Sequence, residues 1–217
     1  MDLLFRFLKL NLDFKIYRIK NLTINIFMIS AILLAAGQSK RLIKENKLTK
    51  IYKSKPLINH SLNSLIKSKI VKIFIVLVYE KNKLKKIITK NKKIKFIFNK
   101  NYKKGMSTSI KCGLNKISKK NKGFIIVQSD MPFIKTIHIN KICSSILKKK
   151  HLVHVLKFKK KVGNPIGFDI AVLSKFKKIK GDYGAKFIVK RLKKQTNFIK
   201  VTSGKIFKDF DLKKDFN

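Results

Sequence analysis

Short, uninterrupted apolar runs alternate with helical segments along most of this chain. Each run has the length of a β-strand that is buried on both faces. The predicted strands are Ile29–Leu34, Ile73–Val78, Ile94–Phe98, Phe124–Val127, Leu152–Phe158 and Phe198–Val201. The predicted helices are His60–Lys67, Ser107–Ile117, Ile137–Leu147 and Ala185–Leu192. This alternation is typical of βα units, so we predict an α/β fold with a mainly parallel sheet that is covered on both faces.

The first 28 residues depart from this alternation. They mix apolar residues with lysines and have no small-residue cleavage site, so they make a poor signal peptide. The uncharged run Asn21–Ser39 approaches the length of a transmembrane helix, but polar residues interrupt it and its second half is better interpreted as the first buried strand. We therefore expect residues 1–28 to be an N-terminal extension or a mis-called start, with Met28 as the other candidate start, and residues 29–217 to form one domain.

The charge of the chain is extreme, because 54 Lys and Arg residues against 10 Asp and Glu residues give a formal net charge of +44. Such a charge suits a phosphate-rich partner, either a nucleic acid or an anionic membrane. However, nearly all the basic residues are lysines, and they are spread over the whole chain instead of being gathered on one segment. Nucleic-acid binding proteins usually rely on arginine and on a basic patch. We attribute most of the charge to the codons of an AT-rich genome and expect no nucleic-acid partner and no membrane partner.

Glycine is rare in this chain, yet one follows the first predicted strand in the segment Leu34–Arg41, "LAAGQSKR". The small residues Ala35, Ala36 and Gly37 would let backbone N–H groups approach a phosphate closely. Ser39 could donate a further hydrogen bond, and Arg41 and Lys47 could supply positive charge for a triphosphate. The segment matches neither the P-loop nor the G-x-G-x-x-G dinucleotide pattern.

A second candidate position follows the predicted strand "FIIVQ", which would deliver the carboxylate of Asp130 to the carboxyl edge of the sheet. Mg²⁺ is commonly held there by one or two carboxylates together with substrate phosphates. The alternative for Asp130 is a turn or helix-capping role before Met131–Pro132. The segment "GMSTSI" begins a predicted helix, and Ser107, Thr108 and Ser109 could contact a base, ribose or phosphate or could simply cap that helix.

Taken together, these segments resemble the molybdenum cofactor cytidylyltransferases, a nucleotidyltransferase family. The family opens with L-A-A-G-x-S-x-R, and many members continue with Asn-Lys-Leu, which is matched by Asn46–Leu48. The later matches, in family order, are "KPLINHSL", "GMSTSI" with "KCGL", "SDMPFI", "GNPIGF", "GDYGAKFIV" and "DFDLKKD". The resemblance covers nearly everything after Met28.

The resemblance implies a Rossmann-like three-layer nucleotidyltransferase fold and the transfer of CMP from CTP to molybdopterin, with release of pyrophosphate. It implies that the loop from Leu34 to Arg41, together with Lys47, holds CTP. It also implies that Asp130 holds Mg²⁺, with Asp209 or Asp211 assisting, and that Lys47, Arg41 and Asp130 carry the catalysis. The further partners would be a recipient molybdoenzyme or its chaperone.

Base choice has a local indication, because related guanylyltransferases carry Leu-Ala-Gly-Gly where this chain has Ala36. An extra methyl group near the base would favour the smaller pyrimidine, so we expect CTP in preference to GTP. The two cysteines form no disulfide or metal pattern, which favours a reducing, cytoplasmic setting.

The chain also departs from the family pattern. Ile43 replaces a glycine in the opening loop, Gln128–Ser129 replaces a small pair before Asp130, and Leu212–Lys213 replaces Thr-Pro in the closing segment. Two alternatives therefore stay open: a nucleotidyltransferase for another phosphorylated acceptor such as a sugar phosphate, or a basic RNA-binding or membrane-binding protein without catalysis.

Overall fold

A seven-stranded sheet forms the centre of the fold in the computed structural model, which describes residues 28–36, 46–78 and 80–216. Its strands are β1 (Ile29–Ala35), β4 (Lys72–Leu77), β5 (Ile94–Phe98), β6 (Gly123–Gln128), β7 (Val153–Phe158), β8 (Lys161–Asp169) and β9 (Thr196–Lys200). A separate two-stranded ribbon consists of β2 (Ile51–Tyr52) and β3 (Lys55–Pro56). The order across the large sheet is β5-β4-β1-β6-β8-β7-β9. All these strands run parallel except β8, which is antiparallel to both of its neighbours, β6 and β7.

Helices cover both faces of this sheet and make the fold a three-layer α/β structure. They are α1 (Leu57–Ile66), α2 (Lys81–Ile87), α3 (Met106–Leu114), α4 (Thr136–Leu147) and α5 (Ala185–Arg191). Successive residues of β1 point to opposite faces, so that Leu33 packs in the core beneath α1, α2 and α4, whereas Ile32 packs in the core beneath α3 and α5. Because both faces are buried, the central strands need apolar residues at every position, which is why they read as uninterrupted runs.

The predicted α/β fold with a mainly parallel sheet is therefore confirmed, and each predicted strand and helix is present with small shifts of its ends. The apolar pattern does not predict α2 or β8. Helix α2 has the sequence KNKLKKI, in which Leu84 is the buried side chain, so it lacks an apolar stripe. Strand β8 contains Gly163, Asn164 and Pro165, residues that usually mark a turn, and its register with β7 shifts at that point.

The N-terminal expectations are only partly open to comparison. The second half of the uncharged run is the strand β1, as predicted, whereas residues 1–27 lie outside the described residues. Within the part of the chain that the structure describes, no helix combines the length and the apolar character that a membrane crossing requires.

A buried polar cluster joins α4 to β7 and β9. The side chain of His154 is fully buried, and its Nδ1 lies 2.7 Å from Ser145 Oγ. Asn197 Nδ2 donates to the same hydroxyl at 2.7 Å. Burial is the main reason why the pKa of His154 falls to about 4, and the nearby His151 lowers it further. The imidazole is therefore neutral in the folded protein at physiological pH.

This neutral histidine predicts an acid-sensitive fold. In the unfolded chain His154 takes up a proton as the pH falls below 6.5, whereas the folded protein resists protonation down to about pH 4. The unfolded state therefore binds more protons in that window, and stability falls as the pH falls. Between pH 7 and pH 5 we expect this residue to cost about 2 kcal/mol of unfolding free energy.

Urea unfolding at the two pH values checks this, with His154→Asn as the comparison because its amide can still reach Ser145. The variant should lose about 2 kcal/mol less than the wild type between the two pH values. Equal losses in both proteins would contradict the prediction.

Candidate active site

A cleft of about 310 Å³ opens at the carboxyl ends of β1 and β6. Ligands of open α/β sheets bind at this edge, where the loops that follow parallel strands converge. The lining residues come from the β1 end, the turn after residue 46, the start of α3, the β6 end and the loop before α5. They are Leu34, Ala36, Lys47, Leu48, Tyr102, Lys103, Gly105, Met106, Ser109, Gln128, Ser129, Asp130 and Asp182.

An ion-pair cluster forms the polar end of the cleft. The Lys47 ammonium donates to Asp130 Oδ2 at 2.6 Å and to Asp211 Oδ1 at 2.6 Å. The side chain of Lys47 is 9% exposed, that of Asp130 17% and that of Asp211 35%. One lysine thus brings together two carboxylates from distant parts of the sequence.

A short 3-10 turn, Lys47–Thr49, holds Lys47 in this position. Asn46 caps the turn, since its side-chain oxygen accepts the N–H of Leu48 at 3.1 Å. The side chain of Leu48 is buried in the core, next to α1. The cap and the buried side chain of Leu48 fix the backbone of this turn. The side chain of Lys47 therefore extends toward the two carboxylates from a fixed backbone position.

Asp130 is positioned by the turn that follows β6. The Ser129 hydroxyl donates to the Leu34 carbonyl at 2.7 Å and so ties the end of β6 to the end of β1. On the other side, the N–H of Phe210 donates to the Asp130 carbonyl at 3.0 Å, and the Phe210 ring is buried. The carboxylate therefore sits between the sheet and the closing segment of the chain.

The closing segment "DFDLKKD" presents Asp211, not Asp209, to this cluster. Asp215 accepts the N–H groups of Asp211 and Leu212, each at 2.9 Å, which folds the segment into a tight turn. Asp209 is exposed, whereas Asp211 accepts a hydrogen bond from Lys47; the charge of Asp209 contributes only to raising the pKa of Asp130. Of the two closing aspartates that the sequence offers as assistants to Asp130, the geometry favours Asp211.

The cluster carries a protonated lysine. Burial, the largest single effect, lowers the pKa of Lys47, but its contacts with Asp130 and Asp211 together outweigh burial and raise that pKa above its usual value. Burial also raises the pKa of Asp130, and the attraction of Lys47 opposes that rise. The raised pKa of Lys47 favours its charged form, whereas the raised pKa of Asp130 favours its neutral form. The 2.6 Å contact between them identifies the ionised pair as the form that the geometry stabilises.

The two carboxylates also suit a divalent cation. Asp130 Oδ1 is buried and has no hydrogen-bond partner within the described ranges, so this oxygen is available to coordinate a cation. Among residues 28–36, 46–78 and 80–216, no three His, Cys, Asp or Glu side chains gather as a metal site. Two hard oxygen ligands without a full protein cage fit Mg²⁺, which usually completes its coordination with water and substrate phosphates.

The opposite wall of the cleft is made where two predicted motifs meet. The N–H of Met106 donates to Asp182 Oδ1 at 3.2 Å, and the N–H of Ser107 donates to the Gly181 carbonyl at 3.0 Å. Gly105, at the start of α3, has a φ of 102°, a conformation that favours glycine. The segments "GMSTSI" and "GDYG" therefore act as one structural unit.

The three predicted hydroxyl ligands of α3 have different surroundings. Ser109 lines the cleft, and its Oγ accepts from Asn99 Nδ2 at 2.9 Å. Thr108 Oγ1 also accepts from Asn99 Nδ2 at 2.9 Å, and the carbonyls of Gly105 and Asn101 lie at 2.9 and 3.0 Å as alternative acceptors of its one proton. The Ser107 side chain is buried and does not line the cleft. Direct contact with a ligand is thus best supported for Ser109, and for the other two it stays a prediction.

The residues of the opening loop that the sequence predicts to bind phosphate are described only in part. Leu34 and Ala36 line the cleft, and Ala35 is buried as the last residue of β1. Gly37, Ser39 and Arg41 lie outside the described residues, so their roles stay predictions.

Several cleft residues were not predicted as site residues. Asp182 lies in the motif "GDYGAKFIV", in which two glycines flank it, and that motif is the sequence signal for it. Met106 has a comparable signal, since it lies in the motif "GMSTSI". Tyr102 and Lys103 have none, because the fold alone brings them to the cleft.

Comparison with known proteins gives a family match over most of the chain. Residues 31–196 match the family model described as "MobA-like NTP transferase domain". None of the curated proteins matches the chain in sequence.

Solved structures share the fold at low sequence identity. Rv0371c from Mycobacterium tuberculosis H37Rv is 17% identical, with a TM-score of 0.75 over 87% of this chain and 96% of that chain. Its complex with manganese is 15% identical, with a TM-score of 0.68 over 81% and 89%. The 4-diphosphocytidyl-2C-methyl-D-erythritol synthase from Anaerococcus prevotii DSM 20548 is 14% identical, with a TM-score of 0.69 over 89% and 95%. At these identities the likeness establishes the fold alone.

The contact between Gly105 and Gly181 yields a prediction. A Cβ atom at Gly105 would lie 2.4 Å from the Gly181 carbonyl carbon, so Gly105→Ala must separate the two loops as well as strain its own backbone. We expect a loss of at least ~2 kcal/mol in unfolding free energy.

Gly181→Ala is the matched control. Its φ is also positive, at 57°, but a Cβ atom there would meet open space, so only the backbone cost of about 1 kcal/mol is expected. Urea unfolding of both variants measures the difference, and equal losses would mean that the loop contact is not tight.

Proposed function

Because the chain belongs to the family of MobA-like NTP transferase domains, we propose that it transfers CMP from CTP to the terminal phosphate of molybdopterin, with release of pyrophosphate. Nucleotidyl transfer is the activity of the family. The choice of CTP and of molybdopterin rests on the motifs of this sequence, from the opening "LAAGQSKR" to the closing "DFDLKKD".

The observation that carries the proposal is the cluster of Lys47, Asp130 and Asp211 beside the small-residue end of β1. A nucleoside triphosphate bound along the cleft would have its phosphates next to a buried ammonium and two carboxylates. The phosphate oxygens would be stabilised by the Lys47 ammonium. A divalent cation between the two carboxylates and the phosphates would offset the repulsion of their negative charges.

In this reaction an oxygen of the acceptor phosphate attacks the α-phosphorus of CTP. A new P–O bond forms as the bond from the α-phosphorus to the bridging oxygen breaks, and the electron pair leaves with pyrophosphate. Lys47 and Arg41 would hold the phosphates in line and offset the charge that develops on them. The chain needs no covalent nucleophile.

Asp130 and Asp211 would hold Mg²⁺. When bound, this ion supplies charge neutralisation for the triphosphate. The solved complex of Rv0371c with manganese is consistent with a divalent ion in a protein of this fold. The unpartnered oxygen of Asp130 supports the same role in this chain.

A second acceptor remains a candidate. The synthase from Anaerococcus prevotii has this fold, and its name describes a product in which a cytidyl group is joined to a methylerythritol. A phosphorylated polyol or sugar would satisfy the same phosphate chemistry at Lys47. We propose molybdopterin because the ordered motifs favour it, and with it a cytoplasmic enzyme that hands its product to a molybdoenzyme or its chaperone.

The test is a transfer assay with radiolabelled CTP, molybdopterin and Mg²⁺. Asp130→Asn should reduce kcat/KM at least a hundredfold, because the isosteric amide cannot supply the charge that a metal ion needs. Asp211→Asn should show a smaller loss in the same direction.

Asp209→Asn is the matched control, since Asp209 is an exposed aspartate of the same segment. It should retain most of the activity, and thermal melting should show that all three variants fold. Normal turnover by Asp130→Asn would remove the metal assignment. A wild type that uses sugar phosphates but not molybdopterin would favour the second acceptor, and salt-sensitive binding of RNA or lipid without turnover would favour a non-catalytic basic protein.

Base selection can be tested at Ala36, which lines the cleft and whose methyl group would lie beside a nucleotide bound there. Ala36→Gly should reduce the preference for CTP over GTP, measured as the ratio of kcat/KM values. One methyl group discriminates by about 1–3 kcal/mol, so a tenfold or larger fall in the ratio is expected. An unchanged ratio would mean that other residues read the base.

A further inference from the structure

We propose that Lys47 occupies the metal position of the free protein, so that a divalent cation enters only as a nucleotide draws Lys47 away. This inference rests on the proposed function for the identity of the nucleotide, but it concerns the protein before any reaction. It gives Lys47 a second role beyond binding phosphate, as an internal counter-ion that holds the two carboxylates ready.

The geometry makes the two occupants exclusive. Asp130 Oδ2 and Asp211 Oδ1 each lie 2.6 Å from the same nitrogen atom. A Mg²⁺ ion bound to these two oxygens would lie about 2.0–2.1 Å from each, in the space that the ammonium fills. The two cations would repel one another at such a separation, so one must leave before the other can bind.

The ammonium does not leave without a replacement for the carboxylates. Its side chain is 9% exposed, and departure into the cleft would leave Asp130, which is 17% exposed, as an uncompensated buried charge. Breaking a buried ion pair by removing one partner is costly for this reason. A triphosphate in the cleft offers Lys47 new anionic partners, while the metal ion that accompanies the triphosphate takes over the two aspartates.

This exchange couples the two ligands. The free protein should bind a divalent cation weakly by itself, and the metal ion should assist the nucleotide by the same factor as the nucleotide assists the metal ion. The exchange also keeps the cleft from being filled by a bare metal ion, whose charge would otherwise attract any phosphate ester.

The test uses Mn²⁺ alone, without nucleotide, and follows free Mn²⁺ by electron paramagnetic resonance during titration of the full chain. Lys47→Met removes the charge but keeps an unbranched apolar stem, and it should bind Mn²⁺ at least tenfold more tightly than the wild type. Lys47→Arg keeps the charge and should stay as weak as the wild type. Lys103→Met, at a lysine that lines the cleft without a contact to either aspartate, should also stay weak.

Two further variants keep the outcome interpretable. Lys47→Gln is a second neutral replacement, should Lys47→Met not fold, and it should show the same gain. Adding Asp130→Asn to Lys47→Met should abolish the gain, which identifies the carboxylate pair as the place of binding. Mn²⁺ affinity that is equal in the wild type and in the folded neutral variants would overturn the inference.

Failure of this inference and failure of the proposed function are separate results. The titration contains no nucleotide and no acceptor, so it does not depend on which base or acceptor the enzyme uses. A wild type that transfers CMP but shows no metal gain in the neutral variants would overturn the exchange alone. A metal gain without CMP transfer would leave the exchange standing and remove the proposed substrates.

Discussion

One buried cation holds the candidate site together. Lys47 lies between two aspartates that are 83 and 164 residues further along the chain, and all three belong to different turns. Without the lysine, the two carboxylates would be like charges close to one another at the polar end of the cleft. The ion-pair cluster therefore links the β6 turn, the Lys47 turn and the closing segment at one point.

Most of the fold could be predicted because the physics that forms it is local and repetitive. A strand that is buried on both faces needs apolar residues at consecutive positions, and β1, β4 and β6 satisfy this plainly. Strand β8 lacks such an apolar run, because Gly163, Asn164 and Pro165 interrupt it. Its pairing with β6 on one side and β7 on the other holds it inside the sheet. The antiparallel direction of β8 follows from the short hairpin that connects it to β7. The local pattern of apolar residues does not predict this direction.

The site was predictable to the extent that chemistry follows strand ends. The position of Asp130 in the cleft could be predicted because this residue comes directly after a buried strand, and that of Lys47 because it stands in a recognisable motif. That Asp211 and not Asp209 contacts Lys47 could not be predicted from the sequence. This choice depends on how Asp215 folds the closing turn and on how the buried Phe210 anchors that turn. Asp182 reaches the cleft through its loop's contact with the start of α3, a tertiary contact that no spacing in the sequence encodes.

The closing segment has a consequence for how the protein matures on the ribosome. The strands from β1 to β6 emerge early during synthesis, and a domain generally folds as one unit. Yet Phe210, whose N–H meets the Asp130 carbonyl, and Asp211, which meets Lys47, come much later. The candidate site can therefore be completed only after residue 211 has been synthesised and has left the exit tunnel.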